Sequence, residues 1–162
     1  MDNKNLALYF SLFNEIGIIA QLGRALMDAQ LPDGLMGSHF SVLNHLIRVR
    51  DGQTPLVLAR AFQVAKTTMT HTLSGLETHG LVKLRPNPED GRSKCVWLTE
   101  KGRKFRDQAI ADMAPEMVKF SGQISKKHVA RLVADLVEIR KIMDSYQSHK
   151  LLTDMCPVSQ PD

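Results

Sequence analysis

The hydrophobic pattern of this 162-residue chain switches from a helical period to a strand period only between Leu81 and Leu98. From Leu81, LVKLRP alternates, with Val82 and Leu84 on one side and Lys83 and Arg85 on the other. KCVWL alternates in the same way and puts Val96 and Leu98 on one face. The stretch between them, NPEDGRS, has the Pro, Asn, Asp and Gly of a tight connection. Two alternating runs around such a cluster make a β-hairpin. Elsewhere the apolar residues recur at three and four, so the chain must fold as helices around one two-stranded ribbon. A hydrophobic fraction of 43% with only 6% aromatics agrees with a mostly α protein. The length suffices for one domain with a real core, or for two small lobes.

The helices follow from spacing and caps. Leu6 to Met27 carries one stripe through Leu6, Phe10, Phe13, Gly17 and Ala20 and another through Leu8, Leu12, Ile19, Leu22 and Leu26. A helix so apolar all round is expected to be covered on more than one side. Pro32 and Gly34 end it, and Ser38 is the expected cap of a helix to Val49 with Phe40, Leu43 and Ile47 on one face. Thr54 and Pro55 open a short helix that stops near Phe62 and Gln63. Another runs from about Ala65 to Gly80, burying Met69, Leu73 and Leu76 and turning Lys66, Thr67, Thr70, His71 and Ser74 outward. After the hairpin, Thr99 caps a helix expected to reach Phe120, and Ser125 caps a last one to about Ser148. In that last helix Val129, Leu132, Leu136, Ile139, Met143 and Tyr146 form a heptad seam.

Two short helices, a tight turn and then a charged hairpin is the order of a winged helix-turn-helix, whose second helix enters the major groove of duplex DNA. The outward face of that second helix is short-chained and nearly free of acids. Charge agrees: Met1 to Gly37 holds two Lys/Arg against four Asp/Glu, Ser38 to Thr99 eight against four, and Glu100 to Asp162 eleven against nine. The basic excess therefore gathers around the hairpin, which suits a polyanionic partner.

LSGLETHGLVKLRPNPEDGRSKCVWLTEKGRKF, Leu73 to Phe105, resembles the most characteristic stretch of the MarR family of winged-helix transcriptional regulators. The shared elements are Leu76, Glu77, Gly80, Leu81 and Val82, then Asp90 and Arg92 in the wing, then Leu98, Thr99, Glu100 and Gly102. The order and lengths of the flanking helices are similar, so the resemblance covers nearly the whole chain except the last dozen residues. It implies a homodimer in which 1–34 and 100–150 supply the dimerisation helices, 35–99 is the DNA-binding lobe, and 151–162 is a tail. Double-stranded DNA would be gripped by Lys66, Thr67, Thr68, Thr70, His71 and Ser74 of the recognition helix and by Arg85, Asp90, Arg92 and Lys94 of the wing. In the family the wing arginine, matched by Arg92, reaches the minor groove, and the aspartate, matched by Asp90, pairs with arginine. The chain departs from the pattern at His71, where many members have arginine, and at Ala65, where an N-capping serine is common. Gly75 weakens the helix interior by about 0.5–1 kcal/mol relative to alanine.

The resemblance also implies a small aromatic or phenolic effector in a crevice between the dimerisation lobe and the winged lobe, with Phe13, Arg24, His39 and His45 as candidate lining residues. The function expected is that of a repressor that leaves a pseudo-palindromic operator when the effector binds. An architectural DNA-binding protein without sequence preference and a protein-interaction module are the alternatives. No nucleophile-base trio, phosphate loop or metal-ligand spacing points to an enzyme, a cofactor or a metal. Cys95 and Cys156 are too few for a disulfide framework and suit a reducing cytoplasm, with Cys95 expected as a half-buried filler. Glu15, Gln21 and Arg24 interrupt the apolar first helix, which argues against a membrane span.

Overall fold

The computed structural model describes residues 3–88 and 90–153. Its elements run α1 (Asn3–Asp28), α2 (Gly37–Arg48), α3 (Pro55–Ala61), α4 (Lys66–Thr78), β1 (Val82–Asn87), β2 (Asp90–Leu98), α5 (Glu100–Asp112), α6 (Ala114–Ser121) and α7 (Lys126–Thr153). The chain divides into two compact units, one through Ala114 and one from Pro115.

In the first unit, α2, α3, α4 and the hairpin enclose a single core. Val42, Leu43 and Leu46 of α2, Leu58 of α3, Met69, Leu73 and Leu76 of α4, and Leu81, Val82 and Val96 at the hairpin are all buried in it. Each fully buried leucine contributes about 1.5–3 kcal/mol relative to an exposed one, so the three-and-four spacing of these residues is what holds α4 in place. β1 and β2 pair antiparallel with Val82 opposite Leu98 and Leu84 opposite Val96, the facing expected from their alternation.

The helix ends show where local chemistry decides. Thr54 caps α3 by accepting the Val57 amide, with Pro55 in the first turn. Ser38 does not cap α2: the cap position is Met36, and the imidazole of His39 reaches back to accept the Met36 N–H at 3.0 Å. His39 thereby takes the place that Glu or Gln holds in a capping box. The carboxylate of Asp28, at the end of α1, accepts the next amide, that of Gly37. At the end of α4, Gly80 has φ +69°, and the Leu81 and Gly80 amides bond the Leu76 and Glu77 carbonyls, a Schellman motif that aims the chain into β1.

Thr99 caps α5 as expected, its hydroxyl accepting the Gly102 N–H at 2.9 Å. The helix expected to run to Phe120 instead stops at Asp112, and α6 begins at Ala114. Pro115 is the reason: it has no N–H for the Ala111 carbonyl, and its ring crowds a continuous helix. Ser125 accepts the His128 amide and caps α7, which runs on to Thr153 rather than ending at Ser148. The rest of the tail, with Cys156, lies outside the described residues.

α1 buries none of its residues within the chain, and Leu8, Phe10 and Ile19 are each more than three-fifths exposed. Its 26 residues and mean hydropathy of 1.4 would let it cross a bilayer by length and composition. On α7, Leu132, Leu136, Met143 and Tyr146 of the heptad seam are also exposed.

Candidate nucleic-acid interface

α3 and α4 are joined by a turn that closes through Gln63 at φ +55°, with the Val64 amide on the Ala59 carbonyl and the Gln63 amide on the Arg60 carbonyl. This is the same motif that ends α4, here with a non-glycine in the left-handed region, which a compact hydrogen-bonded turn tolerates at a cost of about 1 kcal/mol or more. The turn sets α4 with Met69, Leu73 and Leu76 inward. Lys66, Thr67, Thr70, His71 and Ser74 come together along one shallow groove on its outer side, and all five are exposed. Thr68 is exposed too but lies toward a different concavity, described below. Ala65 at the N-cap offers no side-chain acceptor, so the first-turn amides of α4 stay open to an external oxygen.

The wing is anchored more firmly than its alternation suggests. Beyond its pairing with β1, β2 bonds Gln53 on its other edge: the Val96 amide donates to the Gln53 carbonyl, and the Gly52 amide to the Val96 carbonyl. The Asp51 carboxylate accepts the Leu98 N–H at 3.0 Å and the Gly52 N–H at 2.9 Å. A Cβ on Gly52 would stand 2.7 Å from the Trp97 ring, and this glycine has φ +72°. RDGQ, Arg50 to Gln53, just after the end of α2, is therefore the seat of the wing. It also explains why Cys95 and Val96 are both buried despite being neighbours in a strand. Cys95 is 6% exposed, deeper than a half-buried filler.

Arg85, Asp90, Arg92 and Lys94 are exposed along the wing. Among the described residues Asp90 pairs with no arginine side chain; its carboxylate accepts the backbone N–H of Arg92 at 3.0 Å. An aspartate bonding its own backbone two residues on closes an Asx-turn, and this local bond wins over a longer-range ion pair. Among the described residues the ion pairs are Arg106–Asp107, Lys119–Glu116 and Arg140–Asp144, and none involves the wing. Asn87 donates to Ser93 at 2.9 Å, and Ser93 in turn donates to the Asp90 carbonyl, which ties the two strands near the tip.

Behind α4 lies a crevice of about 430 Å³ bordered by Arg24 and Met27 of α1, Phe40 of α2, Phe62, and Thr68 and Thr72 of α4. Of the four effector candidates, Arg24 lines it. Phe13 lies elsewhere on α1, half-exposed, and His39 and His45 are not among its walls. His45 bonds the Gln53 side chain at 3.0 Å and its ring lies 5.3 Å from that of Phe62, so it braces α2 against the wing seat. Among the described residues no three His, Cys, Asp or Glu side chains gather as metal ligands would.

His39 is 5% exposed, and its ring meets α4 at Gly75. His71, Gly75 and His79 follow each other at spacings of four along α4, and His79 Nδ1 lies 2.8 Å from the Gly75 carbonyl oxygen. Burial holds the His39 imidazole below the ordinary histidine value of 6.5, and the neighbouring rings of His79 and His71 lower it further. A hydrogen bond with the Met36 backbone works the other way and raises it, but as the smallest of the four influences it does not reverse the shift.

Residues 33–93 match the family model described as MarR family. The fold is shared with the transcriptional regulator BldR of Sulfolobus solfataricus at a TM-score of 0.71 and 22% identity, over 87% of this chain and 99% of that one. Apo MarR from E. coli is 25% identical, with a TM-score of 0.68 over 79% of this chain and 96% of that one. A MarR-family regulator from Rhodococcus sp. RHA1 is also 25% identical, with a TM-score of 0.65 over 79% and 95%. A helix-turn-helix closed at Gln63 and a wing seated on Asp51 to Gln53 agree with these matches: residues 33–93 are similar to the MarR family, and the chain has the winged-helix fold of solved MarR-family transcriptional regulators.

Proposed function

We propose that the protein is a homodimeric, sequence-specific DNA-binding regulator that works in the cytoplasm as a repressor and leaves its operator when a small molecule binds. The observation that carries this reading is the outer face of α4, where Lys66, Thr67, Thr70, His71 and Ser74 share one exposed groove without an acid. Short side chains let the helix backbone approach base edges, and Lys66 supplies a phosphate contact at the helix start. Arg85, Arg92 and Lys94 on the wing extend the basic surface beyond the helix. Neither a catalytic centre nor a cofactor has a part in this function.

The test is a fluorescence-anisotropy titration of the full chain against duplex DNA from just upstream of its own gene and against scrambled duplex, at low and physiological salt. Tight binding to the first alone is expected. Equal, salt-sensitive binding to both would replace this reading with the architectural one. In the same assay Arg92→Ala should weaken binding to both duplexes alike and reduce the salt slope by about one. An unchanged affinity would remove the wing from the interface.

The dimer is supported by the apolar residues that the single chain leaves exposed on α1 and α7, including Phe10 at 71% and Tyr146 at 71%. Monomeric proteins rarely leave so much apolar helix surface in water. We assign 1–34 and 100–150 to the subunit interface and 35–99 to DNA, which places two recognition helices roughly 34 Å apart on one face of the duplex. Glu15 and Arg24 within α1 favour this covered role over a bilayer span. Light scattering of the purified chain without detergent should give twice the 18.1 kDa chain mass, and a monomer would sink the assignment. The effector reading is supported by the crevice behind α4, whose cation is Arg24 and whose walls include Phe40 and Phe62. A small aromatic anion fits that chemistry, and a ligand there touches α4 directly at Thr68 and Thr72.

A further inference from the structure

His39 is a buried polar side chain that neither the DNA-facing groove nor the crevice uses. Two contacts hold its ring. On one side the Met36 N–H donates to Nδ1 at 3.0 Å, so in this arrangement Nδ1 is unprotonated and the neutral ring carries its hydrogen on Nε2. On the other side the ring occupies the space that a side chain at Gly75 would need: a Cβ there would stand 2.5 Å from Nε2 and 3.3 Å from Cδ2. The imidazole is thus a spacer between the first turn of α2 and the middle of α4. His71, one turn along α4 from that contact, faces outward in the groove read as the DNA surface.

We propose that His39 is a positioning residue of the DNA interface, whose neutral imidazole seats α4 against α2 and whose protonation unseats α4 and releases DNA. The proposal rests on the DNA-binding reading above. A proton on Nδ1 would face the Met36 N–H donor to donor, so the α2 cap and the imidazolium exclude each other. The charge would also be buried, beside the rings of His71 and His79. The titratable and charged groups around the ring are His71 on α4 and His79 at its C-cap, Arg24 and Asp28 of α1, which meet α2 at Gly37, and Asp33, exposed in the loop before α2. Among the described residues no carboxylate bonds the ring, and Asp28 already accepts the Gly37 amide. An imidazolium can relieve this only by moving, and the backbone of α4 at Gly75 is what it touches.

The expected sign is the reverse of the ordinary one. Acidification normally adds charge to exposed histidines and tightens binding to phosphates. A His39 seat predicts the opposite. The native ring resists protonation more than the unfolded ring does, so folding in the seated form is favoured above the ordinary value of 6.5 and loses that advantage as the pH falls below it.

The experiment compares the wild-type chain with His39→Gln by anisotropy on the upstream duplex at constant salt, together with histidine-ring and amide NMR of the wild type across the same pH range. Glutamine at this position can still accept the Met36 N–H, as in an ordinary capping box, but does not titrate. From about pH 8 to about pH 5.5 the wild type should lose about tenfold in affinity, within the usual range for coupling between two sites, while His39→Gln holds its affinity or tightens. The His39 ring should titrate below 6.5, and the Gly75 amide should shift with it. Parallel pH profiles in the two proteins, in either direction, or a ring that titrates at or above 6.5, would overturn the proposal. If neither protein binds the duplex at about pH 8, the DNA reading fails, and the Gly75 amide alone decides the seat: an amide indifferent to the ring's titration rejects it.

Discussion

Gly102→Ala should destabilise the first unit by about 3 kcal/mol, the upper end of what overpacking a well-filled site costs. A Cβ at this position would stand 2.1 Å from the Leu81 carbonyl oxygen and 3.0 Å from Leu98 Cδ1. The nearer atom belongs to the backbone and cannot swing aside. It is also held from several directions, because the Leu81 carbonyl accepts both the Thr99 N–H at 3.1 Å and the Thr99 hydroxyl at 3.0 Å. Leu81 itself is 1% exposed and sits in the core next to Val82. Relief therefore requires moving the start of β1 or the first turn of α5. By helix propensity alone the same substitution would gain about 1 kcal/mol, so the two effects have opposite signs and the steric clash should win. Urea unfolding of the two proteins checks this, and a midpoint equal to or above the wild type would show that α5 does not press on Leu81. The Leu-Thr-Glu-x-Gly run from Leu98 to Gly102 thus has a physical reason: threonine caps the helix, and glycine lets a strand carbonyl approach it.

What can be read in the sequence is whatever neighbouring residues decide among themselves. The hairpin register follows from alternation, the α3 start from Thr54 and Pro55, and the inward face of α4 from Met69, Leu73 and Leu76. The α2 cap falls at Met36 rather than at Ser38 because its partner is the His39 ring, and the choice depends on where α1 ends and lets Asp28 take the Gly37 amide. The wing seat is hidden for a similar reason, since Asp51 and Leu98 are far apart in the chain. Pro115 is a visible signal for the break after Asp112, one that the expectation of a single helix to Phe120 leaves out. Gly75 shows the limit most clearly. Read alone it is a weak point in a helix; read in the row His71, Gly75, His79 it leaves room for a ring, but only the fold shows that His39 fills it. The exposed groove of α4 is legible because a stripe buried on one side leaves the opposite face defined.

Replacing Thr70 and His71 by alanine should erase discrimination between the upstream duplex and its scrambled counterpart by about 1–3 kcal/mol for each base that α4 ceases to read, while affinity for scrambled DNA stays nearly constant. The two residues are not equivalent. The Thr70 hydroxyl donates to the Lys66 carbonyl at 2.8 Å, so its hydrogen is already engaged within the helix. What it presents outward is an oxygen lone pair and a methyl group, fit to accept from a base amino group or to pack on a thymine methyl. Thr70→Val keeps the methyl and removes the oxygen, and so separates these roles: retained discrimination assigns Thr70 to a thymine methyl, and its loss assigns it to an amino donor. His71 makes no such helix bond among the described hydrogen bonds, and its ring can offer a donor or an acceptor according to tautomer. Lys66 and the wing cations should behave differently, lowering affinity for every duplex when removed, because phosphates carry no sequence. Competitive titrations of each variant against both duplexes check the division. Unchanged discrimination in both alanine variants would move sequence readout off the middle of α4 and onto duplex shape sensed by the wing.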